Sequence, residues 1–113
     1  MHELAIAEEI KDIVLAKLKL HKMKKVTGVK LIFGELTSVV PEALKFAFFS
    51  VTENTPISGA KISVKTVRPK ASCNTCGRSF VIKELNFICT KCFSTDIKVT
   101  AGREMIVQTI EME

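Results

Sequence analysis

Every cysteine in this chain stands in one of two pairs, Cys73-Asn-Thr-Cys76 and Cys89-Thr-Lys-Cys92. A C-x2-C knuckle presents two sulfurs from one tight turn. Twelve residues of intervening chain let two such knuckles close around one tetrahedron. Gly77, directly after the first pair, allows the chain to turn back at positive φ. The pattern predicts structural zinc on Cys73, Cys76, Cys89 and Cys92, because four thiolates leave no open position for a reactant. Any chemistry with a small ligand must then lie elsewhere.

The rival readings of the knuckles differ in what else they require. A disulfide framework suits a secreted chain, but the start Met-His-Glu-Leu-Ala-Ile-Ala-Glu-Glu is acidic and lacks a long apolar run. No signal peptide is visible, and the chain is read as cytoplasmic. Iron also accepts a tetrahedral all-sulfur shell. A thioredoxin-like role needs one reactive pair at a helix start, not two matched pairs.

At 113 residues the expectation is one domain with a small metal-stabilised appendage. No run approaches the roughly 18 apolar residues of a membrane span. The formal charge is +5; four thiolates and one divalent ion would bring it to +3. The densest lysines, Lys19, Lys22, Lys24 and Lys25, stand where cations complement the end of a first helix. Nucleic-acid binding is a weak second reading, since the chain has no Tyr or Trp to stack bases.

From residue 3 to about 22, Leu4, Ala7, Ile10, Val14 and Leu18 recur at helical spacing, with Glu8, Lys11, Asp12 and Lys19 elsewhere on the wheel. Residues 26–33 alternate through Val29, Leu31 and Phe33, a strand that Gly34 ends. Pro41 suits the first position of a second helix, whose face is marked by Leu44, Phe48 and Val51 and broadened by Phe46 and Phe49. Asn54-Thr-Pro56 stops it. Residues 60–67 read as a strand carrying Ile62 and Val64 inward. Residues 103–112 read as another, with Ile106, Ile110 and Met112 on one face.

The predicted class is α+β: a small mixed three-stranded sheet with two helices, plus an inserted zinc-ribbon-like four-cysteine module. Residues 1–70 with 101–113 would form the α/β domain and 71–100 the zinc-binding domain. The module would interrupt a long two-strand hairpin. Between the knuckles, Phe80, Ile82 and Leu85 would cover one side of the metal.

The start Met1-His2-Glu3 is the second pointed feature. Histidine is too bulky for ready removal of the preceding methionine, so Met1 is expected to remain. Its amine, the amide nitrogen of His2 and the imidazole can chelate one ion through fused rings, an arrangement that suits square-planar Ni(II) or Cu(II).

Met-His-Glu-Leu, then Ile32-Phe-Gly-Glu-Leu36, Pro41-Glu-Ala-Leu-Lys-Phe-Ala-Phe48, the two knuckles and Gly102-Arg-Glu-Met105 follow one another in this order. Together they make the chain resemble, end to end, the HypA family, nickel metallochaperones of [NiFe]-hydrogenase maturation. The resemblance implies a metal-delivery protein and not an enzyme. It implies Ni(II) on the N-terminal amine of Met1 and on His2, with Glu3 beside the site, and zinc on the four cysteines. It implies transfer in concert with a HypB-like GTPase to the hydrogenase large subunit, with urease served in some relatives. The chain has no GxxxxGK[ST] loop and cannot itself be that GTPase.

Two departures from the family pattern stand out. The second knuckle reads Cys-Thr-Lys-Cys-Phe, where many relatives carry Pro within it and Gly after it. Some relatives place another histidine near the zinc module, whereas here the second histidine is His21 in the solvated end of the first helix. Water, Glu3, a partner residue or a second copy of the chain, as a homodimer, could complete the nickel shell. The rival from a different class is a zinc-ribbon nucleic-acid-binding protein, using the lysines at 19–25 with Lys70, Arg78 and Lys83.

Overall fold

The structure, a computed structural model, describes residues 3–113, so the expectations placed on Met1 and His2 lie outside it. Helix α1 (Glu3–Leu20) is followed by strand β1 (Val26–Gly34), a short 3-10 turn (Glu35–Thr37), helix α2 (Pro41–Val51) and strand β2 (Lys61–Val67). Then come β3 (Lys70–Cys73), β4 (Ser79–Val81), β5 (Ile97–Ala101) and β6 (Met105–Met112). Two three-stranded sheets result, β2-β1-β6 and β4-β3-β5.

The first sheet is mixed. β1 lies in its middle, parallel to β2 and antiparallel to β6. The parallel pair needs a crossover, and α2 supplies it. This corrects the hairpin expectation: β2 and β6 flank β1 and never pair with each other. The antiparallel pairing that does frame the cysteines joins β3 to β5 in the second sheet.

Both helices lay one stripe on the first sheet. The buried side of α1 is Ile6, Ala7, Ile10, Val14 and Leu18; Ile6 replaces Leu4, which is exposed. On α2 the buried residues are Leu44, Ala47 and Phe48, with Val51 packed beside them. Phe46 and Phe49 face solvent, because they sit about 100° from that stripe at 3.6 residues per turn. Pro41 opens the helix as its chemistry favours. At the other end the buried Thr52 hydroxyl donates to the Phe48 carbonyl at 2.7 Å, so its polar atom is satisfied.

Two bulges decide which strand residues meet this core. Opposite Met112 and Glu111 stand Val26 and Gly28, leaving Thr27 extra on β1. Val26 can therefore be buried together with Val29, Leu31 and Phe33 despite its odd spacing. Opposite Lys30 and Leu31 stand Thr109 and Val107, leaving Gln108 extra on β6. The parity of β6 reverses there. Val107, not Ile106, joins Ile110 and Met112 against the core, and Ile106 is 47% exposed.

A second, smaller core belongs to the other sheet: Ala71, Cys73, Phe80, Ile82 and Cys89, with Ile97 and Val99 beside them. Phe80 and Ile82 cover the cysteines as expected, but Leu85 points outward. It lies at φ 58, next to Glu84 at φ 51, in a turn that carries its side chain away from the metal cluster.

Candidate metal centre

Each knuckle closes with the same backbone bonds. Cys73 N–H donates to the Arg78 carbonyl at 2.8 Å, and Cys89 N–H to the Ser94 carbonyl at 2.9 Å. Gly77 N–H donates back to the Cys73 carbonyl at 2.9 Å, and Phe93 N–H to the Cys89 carbonyl at 3.1 Å. Such turns point the two sulfurs of a knuckle the same way. Backbone N–H groups aim at sulfur in both, from Cys76 to Cys73 Sγ and from Lys91 to Cys89 Sγ, each at 3.4 Å.

The knuckles are also tied to one another. Asn74 Nδ2 donates to Asp96 Oδ1 at 3.0 Å, and the hydroxyls of Thr75 and Ser94 are 3.0 Å apart. Asn74 N–H adds a bond to the Asp96 carbonyl at 2.9 Å. These four residues escaped the sequence reading. Partners 19 and 22 positions apart leave no local pattern to find.

The result is one cluster. The four sulfurs lie within 4.8 Å of one another, with Cys73 and Cys89 buried and Cys76 and Cys92 exposed. Cys73 Sγ is 3.6 Å from Cys92 Sγ, and Cys76 Sγ is 3.6 Å from Cys89 Sγ. A tetrahedron with Zn–S bonds of roughly 2.3 Å sets its sulfurs roughly 3.8 Å apart, so the donor set fits zinc closely. A disulfide needs roughly 2.05 Å, and all four cysteines are free thiols. Among the described residues this is the one group of three or more His, Cys, Asp or Glu side chains that could hold a metal ion.

Four thiols in one place cannot all ionise at ordinary pH without a cation. The Cys89 thiol is lowered to about 6, chiefly by the backbone N–H of Cys92 and further by that of Lys91, against the opposing effect of burial. The Cys73 thiol is lowered too, first by the N–H of Cys76. The Cys92 thiol goes the other way, up to about 12. The N–H of Ser94 lowers it, but burial and the neighbouring sulfurs of Cys73, Cys89 and Cys76 outweigh that bond. Anionic sulfur aimed at by backbone dipoles and crowded by other sulfur is the electrostatic setting a divalent ion completes.

Elsewhere, Glu3 forms the first turn of α1 and is half-buried. His21 is exposed just past the end of that helix, far in sequence from the cysteines, as the sequence implied. No described helix is long and apolar enough to cross a membrane.

With that geometry in place, the likeness to known proteins is clear. Residues 1–112 match the family described as HypA, hydrogenase/urease nickel incorporation, metallochaperone. The hydrogenase maturation factor HypA of Caldanaerobacter subterraneus subsp. tengcongensis is 35% identical over 114 residues, covering 100% of each chain. That of Methanocaldococcus jannaschii is 36% identical over 121 residues, covering 100% of this chain and 98% of its own. The solution structure of the Ni metallochaperone HypA from Helicobacter pylori superposes with a TM-score of 0.71 at 23% identity, covering 99% of this chain and 97% of that one. At that identity it speaks to the fold, which it shares.

Proposed function

The chain belongs to the HypA family of hydrogenase and urease nickel-incorporation metallochaperones, and on that premise we propose how its residues divide the work. Nickel is cargo, held by the Met1 amine, the His2 amide nitrogen and the His2 imidazole, with Glu3 beside them. Zinc is resident, held by Cys73, Cys76, Cys89 and Cys92. The protein acts as a carrier and not as an enzyme. Its partners are a HypB-like GTPase and the large subunit of a [NiFe]-hydrogenase, met in the cytoplasm.

The observation that carries this reading is the family match across residues 1–112, beginning at the very residues proposed to hold nickel. The chemistry of the two donor sets supports it. A closed tetrathiolate shell offers no open position for ligand exchange, which suits an ion that stays and holds two knuckles together. An amine and an imidazole at a chain end form an open, planar donor set that a partner's ligands can approach from either side. Copper(II) would bind such nitrogens more tightly still, so selectivity for nickel rests on availability and on docking. The nucleic-acid reading is not favoured, since the family match accounts for the knuckles and the N-terminus together.

The test is nickel transfer. Zinc-loaded chain carrying Ni(II) is mixed with metal-free large subunit, with and without the GTPase, and nickel on the acceptor is counted. Transfer by the native chain and its loss in His2→Ala support the assignment. Equal transfer by both chains overturns it.

A further inference from the structure

The chain crosses between its two sheets twice, and both crossings pass through one point. The first runs from β2 to β3 through Arg68 and Pro69; the second runs from β5 to β6 through residues 102–104. The end of β1 meets them there. Gly34 N–H donates to the Glu104 carbonyl and Leu36 N–H to the Gly102 carbonyl, both at 2.8 Å. The Glu104 side chain folds back, so that its Oε1 accepts from Gly102 N–H at 2.7 Å in a half-buried bond.

The fit allows no side chain at either glycine. A Cβ on Gly34 would run into the carbonyl carbon and oxygen of Gly102 and lie 2.5 Å from the Arg103 nitrogen. Gly102 holds φ +111, and a Cβ there would stand 2.7 Å from Pro69 Cα and 3.2 Å from Leu36 Cδ1. Backbone is thus packed on backbone from three separate parts of the chain.

Two units joined by two short links would ordinarily move against each other unless a large interface held them. A shared apolar core does not supply that hold here, for the two buried clusters have no residue in common. Beside the crossing lies an open crease of about 490 Å³, walled by Glu35, Leu36 and Arg68 on one side and Val81, Ile82 and Glu84 on the other. Hinges work where a few loop residues can absorb a change in φ and ψ. At this crossing Gly102 has both its N–H and its C=O bonded, the Pro69 and Glu104 carbonyls accept from Ile82 and Gly34, and Gly34 and Gly102 have no room for a side chain.

We propose that Gly34, Gly102 and Glu104 form a clasp that holds the four-cysteine unit in one orientation on the helix-bearing sheet, so that the two move as one body. Glu104 is a positioning residue in this device, because its carboxylate pins the Gly102 turn against which the end of β1 is bonded. The orientation of the metal module toward any partner is then built into the chain and does not await docking.

The test uses zinc-loaded, full-length protein, with backbone residual dipolar couplings and ¹⁵N relaxation as the readout. In the native chain the amides of both sheets should fit one alignment tensor and one rotational diffusion tensor. Glu104→Ala should give separate tensors for residues 70–101 and for the remainder, with zinc content unchanged. Glu104→Gln keeps an oxygen that accepts from Gly102 N–H and should restore the single tensor. Gly34→Ala should uncouple the units as well; if it fails to fold, the two Glu104 variants decide alone. Separate tensors in the native chain, or a single tensor in Glu104→Ala, would overturn the proposal.

Discussion

Gly77 and Phe93 occupy the same place in the two knuckles: each donates its N–H to the carbonyl of the knuckle's first cysteine, and each does so at positive φ, +78 and +60. Glycine meets that requirement without cost. Phenylalanine in the left-handed region is strained by about 1–2 kcal/mol, and the ring gains no burial in return, being 76% exposed. Phe93→Gly should therefore stabilise the four-cysteine unit by about 1 kcal/mol, some of the relief being offset by the greater freedom of glycine in the unfolded chain. Gly77→Ala should destabilise it by a similar amount. Competition with a chromophoric zinc chelator, followed for each variant, reads both signs.

The two apolar clusters share no buried residue, so each should fail by itself. Leu31→Ala empties a fully buried position in the helix-bearing sheet and should cost about 3 kcal/mol. Zinc content should be unaffected. Cys73→Ala should do the opposite, abolishing zinc and loosening residues 70–101 while helical circular dichroism persists, because metal binding in such units is largely their folding energy. Loss of the helices in Cys73→Ala would show that the two cores depend on each other.

Proton counting gives a sign for zinc loading. At pH 7 the Cys89 thiol, lowered to about 6, has already lost its proton, while the Cys92 thiol, raised to about 12, has kept its own. Zinc must displace that proton, so apparent affinity should rise with pH through neutrality. In the metal-free unit the depressed Cys89 contributes stability above its ordinary value of 9.0, and this is lost as pH falls through about 6. Calorimetry of the native chain in buffers of different ionisation enthalpy should show about one more proton released per zinc at about pH 5 than at about pH 7, because Cys89 keeps its proton below about 6. Equal release at the two pH values would contradict this order of ionisation.

Much of this molecule is written locally in its sequence. Hydrophobic spacing marks both helices, Pro41 starts the second, and alternation marks β1 and β2, because those signals depend on neighbours within a turn or two. The metal cluster is equally local, two ligands per knuckle, and only the meeting of the knuckles is long-range. What the pattern could not disclose is pairing. Gln108 is a bulge only because β6 opposes β1, and that one extra residue sends Ile106 outward and Val107 inward. β3, β4 and β5 are three to five residues long and owe their existence to cross-strand bonds around the cysteines, too short for any alternation to be seen. The contact of Gly34 with Gly102 spans most of the chain and has no sequence period at all.

Nickel affinity should depend steeply on pH. An imidazole of pKa about 6.5 and an α-amine of about 7.7–8.0 must both be deprotonated to bind, and each proton released makes the complex weaker as pH falls. Titration from about pH 8 to about pH 5 should empty nickel before zinc. A nickel affinity that stays flat over this window would remove the amine and imidazole from the ligand set.

The division of labour between the chain start and the cysteines comes down to one calorimetric comparison. Zinc-loaded protein with a free N-terminus is titrated with Ni(II) at pH 7.5, alongside His2→Ala and a form extended by one residue before Met1, with zinc measured after each run. The native chain should bind one nickel, both altered chains should lose that site, and zinc should remain at one per chain throughout. Undiminished nickel binding in both altered chains, or zinc expelled as nickel binds, would mean that the cargo sits on the cysteines and that the two metals do not have separate sites.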